Sequence, residues 1–301
     1  MQKRGIIYVE ALLFFVAFIW GIHPAIVKVG LASLPFVAYN ALRLLLAAPV
    51  AWLVVFASGR YRPLAREDVK PMLLVSLAGF FVFQLFFVSG VERTTAGNAS
   101  LIGCLLPVAV AVINRVWRIE PLSRATAAGI AASLAGVALI VLGSGKEVSL
   151  AGRNMLGALL MLGAQCGYGY YTVFSRQLLV RYSAYQVTAW VATVSAVLFA
   201  VIALPDFLTI EWGSVPPAAW LSVAYSGVMG ICVGNFLWVW GVGKIGSART
   251  SLFGNISPVF AVVAGYLLLG EEFGLLQLAG AIVIFWGVYR ARSASKAAER
   301  Q

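Results

Sequence analysis

Trp20, His23, Pro24 and Val27 recur at i, i+3, i+4 and i+7 and therefore share one face of a helix. A second face of the same kind runs through Tyr168, Tyr171, Thr172 and Ser175. Rings supply contact area and cation-π attraction for an ammonium group, while hydroxyls orient polar ends, so such a lining suits a zwitterionic or moderately apolar solute. The alternative for both stripes is an interfacial belt of Tyr and Trp.

Two cations accompany these faces. Lys28 lies near the end of the first apolar run and Arg43, close to Tyr39, lies deeper in the second. A cation within the membrane normally needs a partner, so either is a candidate counter-charge for a carboxylate or other anion. Lys28 can instead snorkel to the headgroups, and Arg43 can serve structure by pairing with loop acids or capping carbonyls. Gln84, Asn98, Gln165, Asn235 and Asn255 outline a polar interior, with Trp238 in the aromatic run after Asn235. A single amide of this kind can also do no more than join two helices.

Several chemistries are excluded by what is missing. The chain has one histidine and three cysteines, Cys104, Cys166 and Cys232, without CxxC or ligand-like spacing. That argues against a metal site or other cofactor and makes the cysteines small core residues. A membrane-embedded enzyme needs clustered His, Asp, Glu or Cys groups near one interface, which the sequence does not provide. Glu10 and His23 are the titratable candidates for coupling, with Lys28 beside them, but two groups about three and a half turns apart do not make a proton relay. Coupled and facilitated transport both stay open.

The elements that hold these residues follow from composition. Of 301 residues 61% are hydrophobic and 11% charged, against roughly 25% charged in an average soluble domain. Apolar segments run near 5 to 29, 35 to 58, 70 to 91, 96 to 115, 123 to 143, 154 to 175, 184 to 204, 217 to 240, 246 to 269 and 273 to 290. Each is long enough to cross roughly 30 Å of hydrocarbon as a helix and lacks the alternation of a barrel strand. The expectation is an all-α integral membrane protein of ten transmembrane helices. A cytoplasmic N-terminus puts most cations inside, including Arg60, Arg62, Arg66, Lys70, Arg115, Arg118, Arg124, Arg176, Arg181, Lys244, Arg249 and Arg290, with Asp206, Glu211, Glu271 and Glu272 outside. Both termini are then cytoplasmic in a multi-pass protein of the inner (plasma) membrane. The net charge of +11 needs no nucleic-acid partner, since no basic face forms on one element.

Shifting the chain by 151 residues lays Gly90 to Gly136 on Gly241 to Gly287 with 12 identities, among them Gly103 with Gly254, Pro107 with Pro258 and Glu120 with Glu271. The expected halves are residues 1–150 and 151–301. Five spans in each make the second half enter from the opposite side, an inverted repeat of the kind that gives transporters two similar states with the solute site between the halves. Pro24, Pro107 and Pro258 are expected to kink their helices, the last two near Gly103 and Gly254, either as hinges or as static bends. Small residues at Ala128, Ala132 and Gly136, and at Gly280 and Gly287, allow close packing within each half or a dimer, and the internal use is favoured, with a monomer.

WGIHPAIVK at Trp20 to Lys28, the Pro35 to Arg43 stretch, the segments TTAGNASLIGCLLPVAVAV and KIGSARTSLFGNISPVFAVVAG, and YGYYTVFSR at Tyr168 to Arg176 resemble the EamA-type members of the drug/metabolite transporter superfamily. The resemblance covers nearly the whole chain, with Tyr168 where Trp is common. It implies a ten-helix secondary transporter, an exporter of small organic solutes with amino acids a frequent class. It also implies a central cavity lined by helices 1, 3, 4, 6, 8 and 9, alternating access and the lipid bilayer as its partner. An importing permease or a facilitative uniporter has the same architecture.

Overall fold

A computed structural model of the chain describes residues 2–93, 102–120, 123–143, 153–260 and 274–298, and among them every regular element is helical. The principal helices are α1 (Gln2–Leu31), α2 (Phe36–Ala57), α3 (Arg66–Arg93), α4 (Leu106–Trp117), α5 (Arg124–Gly143), α6 (Arg153–Leu178), α7 (Ala184–Ile202) and α8 (Pro217–Ile245), with a short helix Leu204–Thr209 and a 3-10 turn Trp212–Ser214 between α7 and α8. α9 opens with Ser247–Ser251, tightens into 3-10 turns over Leu252–Ile256 and is helical again at 257–260, and α10 is Leu275–Ala298. Five of them, α1, α2, α3, α7 and α8, are long and apolar enough to cross a membrane, and shorter apolar helices lie in α4, α5 and α10. Helices suit this composition because, without water, each backbone N–H and C=O must find its partner inside its own segment.

α3 and α8 are built alike. Each is an α-helix interrupted by widened, π-helical turns, Val75–Phe81 in α3 and Ser226–Val233 in α8. The shift of 151 residues that aligns Gly90 with Gly241 also carries Arg66 to Pro217 and Val75 to Ser226, so the repeat extends through both helices. Gly79 and Gly230 are equivalent within the widened turns. A Cβ on Gly79 would lie 2.9 Å from Tyr171 Cβ, and one on Gly230 would lie 3.0 Å from His23 Nε2. Only glycine lets α6 and α1 approach so closely, which is the packing reason for its presence at both places.

The contacts between halves repeat the same relation. α1 packs on α8 as α6 packs on α3, while α2 pairs with its counterpart α7, and α5 with α10. The small-residue faces of α5 and α10 are turned toward one another: a Cβ on Gly136 would lie 2.6 Å from the Gly280 carbonyl oxygen, and one on Gly287 2.8 Å from that of Gly129. The expectation of packing within each half is thereby corrected, because these stripes join one half to the other.

The four connections after α2, α4, α6 and α8 gather at one end of the bundle. There Arg181 of the α6–α7 connection bonds to Glu67 and Asp68 at the start of α3, and Gln186 exchanges hydrogen bonds with the Arg62 backbone. The Glu67 and Asp68 carboxylates hold the Arg181 guanidinium above its ordinary pKa. At the same end Glu120, after α4, accepts from the Ser247 backbone N–H at 3.1 Å and hydroxyl at 2.7 Å, and lies 3.5 Å from Arg176. Gly246 makes this junction with a φ of +84°, in the left-handed region that favours glycine.

Two further expectations change. Pro107 occupies the first turn of α4, after a break at Cys104 and Leu105, where its missing N–H leaves no helical bond unmade. Gly254 lies within the 3-10 turns and Pro258 just after them, so both proline sites are helix restarts and not bends in a continuous helix. Cys104 and Cys232 are buried but Cys166 is exposed on α6, because it falls between the positions that pack inward.

Candidate functional site

The side chains near the middle of the bundle form one connected polar and aromatic cluster. Arg43, on α2, is 0% exposed, although a charged group in an apolar interior is costly. Its Nε and Nη2 donate to Asn40 Oδ1 at 2.9 and 2.5 Å, because the two residues lie three apart on one helical face. Nη2 also donates to Gln84 Oε1 at 2.8 Å, and Nη1 to Ser226 Oγ at 3.1 Å. Gln84 stands three residues after the π-helical turns of α3, and Ser226 opens those of α8. One guanidinium therefore reaches both repeat-related helices.

His23 continues the cluster from α1. Its Nε2 lies 2.7 Å from Ser226 Oγ, and its ring stacks on Phe87 at 6.2 Å. Since Ser226 Oγ already accepts from Arg43, its O–H is available to donate to a neutral His23, an assignment that fits both distances. One turn earlier on the same face, Trp20 Nε1 donates at 3.1 Å to the Gly230 carbonyl, a group within the widened turns of α8. The Trp20 ring lies 5.0 Å from Trp238 and 5.7 Å from Tyr168, and the last two are 5.8 Å apart. This triangle of rings is held by polar pins: Tyr168 donates to Asn235 Oδ1 at 2.9 Å and Trp238 Nε1 to Thr172 Oγ1 at 3.0 Å. Tyr171 is buried beside Tyr168, and Tyr39 lies against Ser222 Oγ at 2.9 Å with its ring 5.6 Å from the Arg43 guanidinium.

Trp20, His23, Tyr39, Arg43, Gln84, Tyr168, Tyr171, Asn235 and Trp238 are thus brought into one neighbourhood from α1, α2, α3, α6 and α8. Gln165 is buried one turn before Tyr168. Asn255 is elsewhere: its Nδ2 donates to Ser133 Oγ at 2.7 Å and joins α9 to α5. Asn98 lies outside the described residues. Pro24 is half-buried behind His23, and a Cβ on Gly254 would lie 3.7 Å from Leu106 and from Trp238, while no described residue lies within 4 Å of a Cβ on Gly103. Lys28 is exposed in the last turn of α1. Glu10 forms a buried ion pair with Arg249 at 2.7 Å, about 20 Å along α1 from His23 at 1.5 Å per residue.

Asn40, Ser222, Ser226 and Arg249 are members of these networks that sequence reading did not single out. Extending the repeat alignment to α3 and α8 would have drawn attention to Ser226 and the paired glycines, and the three-residue spacing to Asn40. Arg249 offers no such signal, since it reads as one more cytoplasmic cation. A separate cavity of about 230 Å³ between α2, α7 and α8, lined by Ala51, Val54, Tyr185, Thr188, Cys232 and Phe236 among others, shares no residue with the cluster.

A multi-helix, apolar bundle with a polar and aromatic centre made by two repeats is the architecture of a membrane transporter. The model of the EamA-like transporter family matches residues 7–142 and again 155–291, and the chain belongs to that family. It is 25% identical over 280 residues to the uncharacterized transporter YoaV of Bacillus subtilis, covering 91% of this chain and 93% of that one. It is 26% identical to a Salmonella typhimurium protein named "Probable amino-acid metabolite efflux pump", covering 91% of each. To a Streptantibioticus cattleyicolor protein named "Probable terminal-alkyne amino-acid exporter" it is 27% identical, covering 88% and 86%. A solved structure with 19% identity covers 96% of this chain and 99% of that chain at a TM-score of 0.79, and so shares the fold.

Proposed function

We propose that this chain is a secondary transporter of the inner (plasma) membrane that exports amino acids or related metabolites by alternating access. In this reading it crosses the bilayer ten times as two inverted five-helix halves, residues 1–150 and 151–301, with both termini cytoplasmic. The observation that carries the reading is the placement of Arg43, His23, Trp20, Tyr168 and Trp238 where the widened turns of α3 and α8 face the opposite half. Widened turns can shift register at small cost and recur at functional sites, so the helices that bear the solute site are also those able to rearrange. Arg60, Arg62, Arg118 and Arg181, in the connections after α2, α4 and α6 at one end of the bundle, support the orientation. The names of the Salmonella and Streptantibioticus relatives support the substrate class and the outward direction.

Purified protein in liposomes tests the reading. Labelled amino acids should enter vesicles preloaded with the same amino acid faster than empty ones, since a carrier shows trans-stimulated exchange and a channel does not. Absence of saturable exchange for every amino acid and related metabolite tried would count against it. Topology is checked separately by thiol labelling of single cysteines placed in the connection after α5, which should react only from outside the cell.

A further inference from the structure

The two buried arginines among the described residues, Arg43 and Arg249, are treated differently by their surroundings. Arg249 has a carboxylate, Glu10, at 2.7 Å. Arg43 has only neutral oxygens, those of Asn40, Gln84 and Ser226, with the Tyr39 ring at 5.6 Å, and among the described residues no carboxylate lies within ion-pairing distance of it. Neutral oxygens offset the desolvation of a guanidinium only in part, so a fully buried cation of this kind is a standing attraction for an anion.

We infer that Arg43 is the anion anchor of the solute site and takes the carboxylate of the substrate, with the Ser226 hydroxyl hydrogen-bonding beside it. This rests on the transport reading above and narrows it to solutes that carry a carboxylate next to an apolar or aromatic remainder. Of the five N–H groups of a guanidinium, four are used by Asn40, Gln84 and Ser226. The remaining one is on Nη1, the nitrogen that faces Ser226. A carboxylate arriving there accepts from that N–H, a charge-assisted contact on the nitrogen that faces Ser226. Ser226 opens the π-helical turns of α8, so a small shift of those turns withdraws its hydroxyl and leaves it free to donate to the carboxylate. The triangle of Trp20, Tyr168 and Trp238, reached through His23 and its face of α1, receives the ammonium group or the side chain.

The test compares each of the twenty amino acids with its primary amide, which keeps the ammonium and side chain and removes the negative charge. Competition is measured in the liposome exchange assay on wild type, Arg43→Gln and Arg43→Lys. On this inference wild type prefers the acid of an exchanged pair by about tenfold to hundredfold, as expected for a charge-assisted contact. R43Q lowers the acid to the level of its amide, R43K keeps part of the preference, and discrimination among side chains persists. Equal competition by acid and amide in wild type overturns the inference while leaving the transport reading in place, as does an R43Q protein that loses stability yet keeps the acid preference. Exchange of no acid and no amide removes both. The wild-type comparison and R43K decide the matter if R43Q does not fold.

Discussion

Replacing Gly136 or Gly287 by alanine probes the contact that ties the two halves together at α5 and α10. A Cβ on Gly136 would stand 2.6 Å from the Gly280 carbonyl oxygen and 2.8 Å from the Ile284 nitrogen, against the 3.4 Å at which ordinary contact begins, a shortfall of about 0.8 Å. Besides the Ile284 side chain at 2.8 Å, these two obstructing atoms are backbone, so no rotamer change relieves them and the helices must move apart along the contact. For Gly287 the shortfall is about 0.6 Å, against the Gly129 oxygen at 2.8 Å, with the Ser133 nitrogen at 3.0 Å. Overpacking of this kind costs about 1–3 kcal/mol per substitution, and each should lower the thermal midpoint in detergent by several degrees. The double variant should lose less than the sum, because helices already separated by the first methyl accommodate the second. Gly103→Ala is the control: among the described residues none lies within 4 Å of the added carbon, and the change should stay within about 0.5 kcal/mol. Equal midpoints for G136A and G103A, or strictly additive losses in the double variant, would refute the claim that these glycines set the distance between the halves.

Other outcomes are expected at the same level of detail. Glu10→Gln leaves the buried Arg249 without its carboxylate and should destabilise by about 3–5 kcal/mol, while the E10Q/R249Q pair recovers part of the loss in a double-mutant cycle. Trp20→Phe keeps a ring in the aromatic triangle but removes the donor to the Gly230 carbonyl, so it should lose about tenfold less exchange activity than Trp20→Ala does. Pro107→Ala should leave the thermal midpoint nearly unchanged, because the residue stands in the first helical turn, in contrast with proline inserted at the interior position Val110.

The helical class and the repeat were legible along the chain. Hydropathy reports how each segment meets hydrocarbon, and that requirement acts residue by residue, with no need to know which helix is next to which. The same holds for the paired faces of α1 and α6, whose spacing alone put Trp20 with His23 and Tyr168 with Tyr171. Position along the apolar runs separated Arg43 from Lys28, and the bundle adds that the first is fully buried among other side chains and the second exposed.

Partnership was decided only in three dimensions. Asn235 and Asn255 are the same kind of residue in sequence, yet one pins Tyr168 in the aromatic centre and the other joins α9 to α5. Arg249 counts as one more basic residue until α9 places it against Glu10, and the glycines of α5 and α10 give no sign that they face each other and not a neighbour within their own half. The widened turns of α3 and α8 are likewise invisible to a hydrophobic period, and the close approach of Tyr171 and His23 to the glycines within them shows only in the packed bundle. Local periodicity is a property of one segment in its solvent, whereas each of these contacts depends on two segments far apart in the chain, and only the packed bundle brings them within reach.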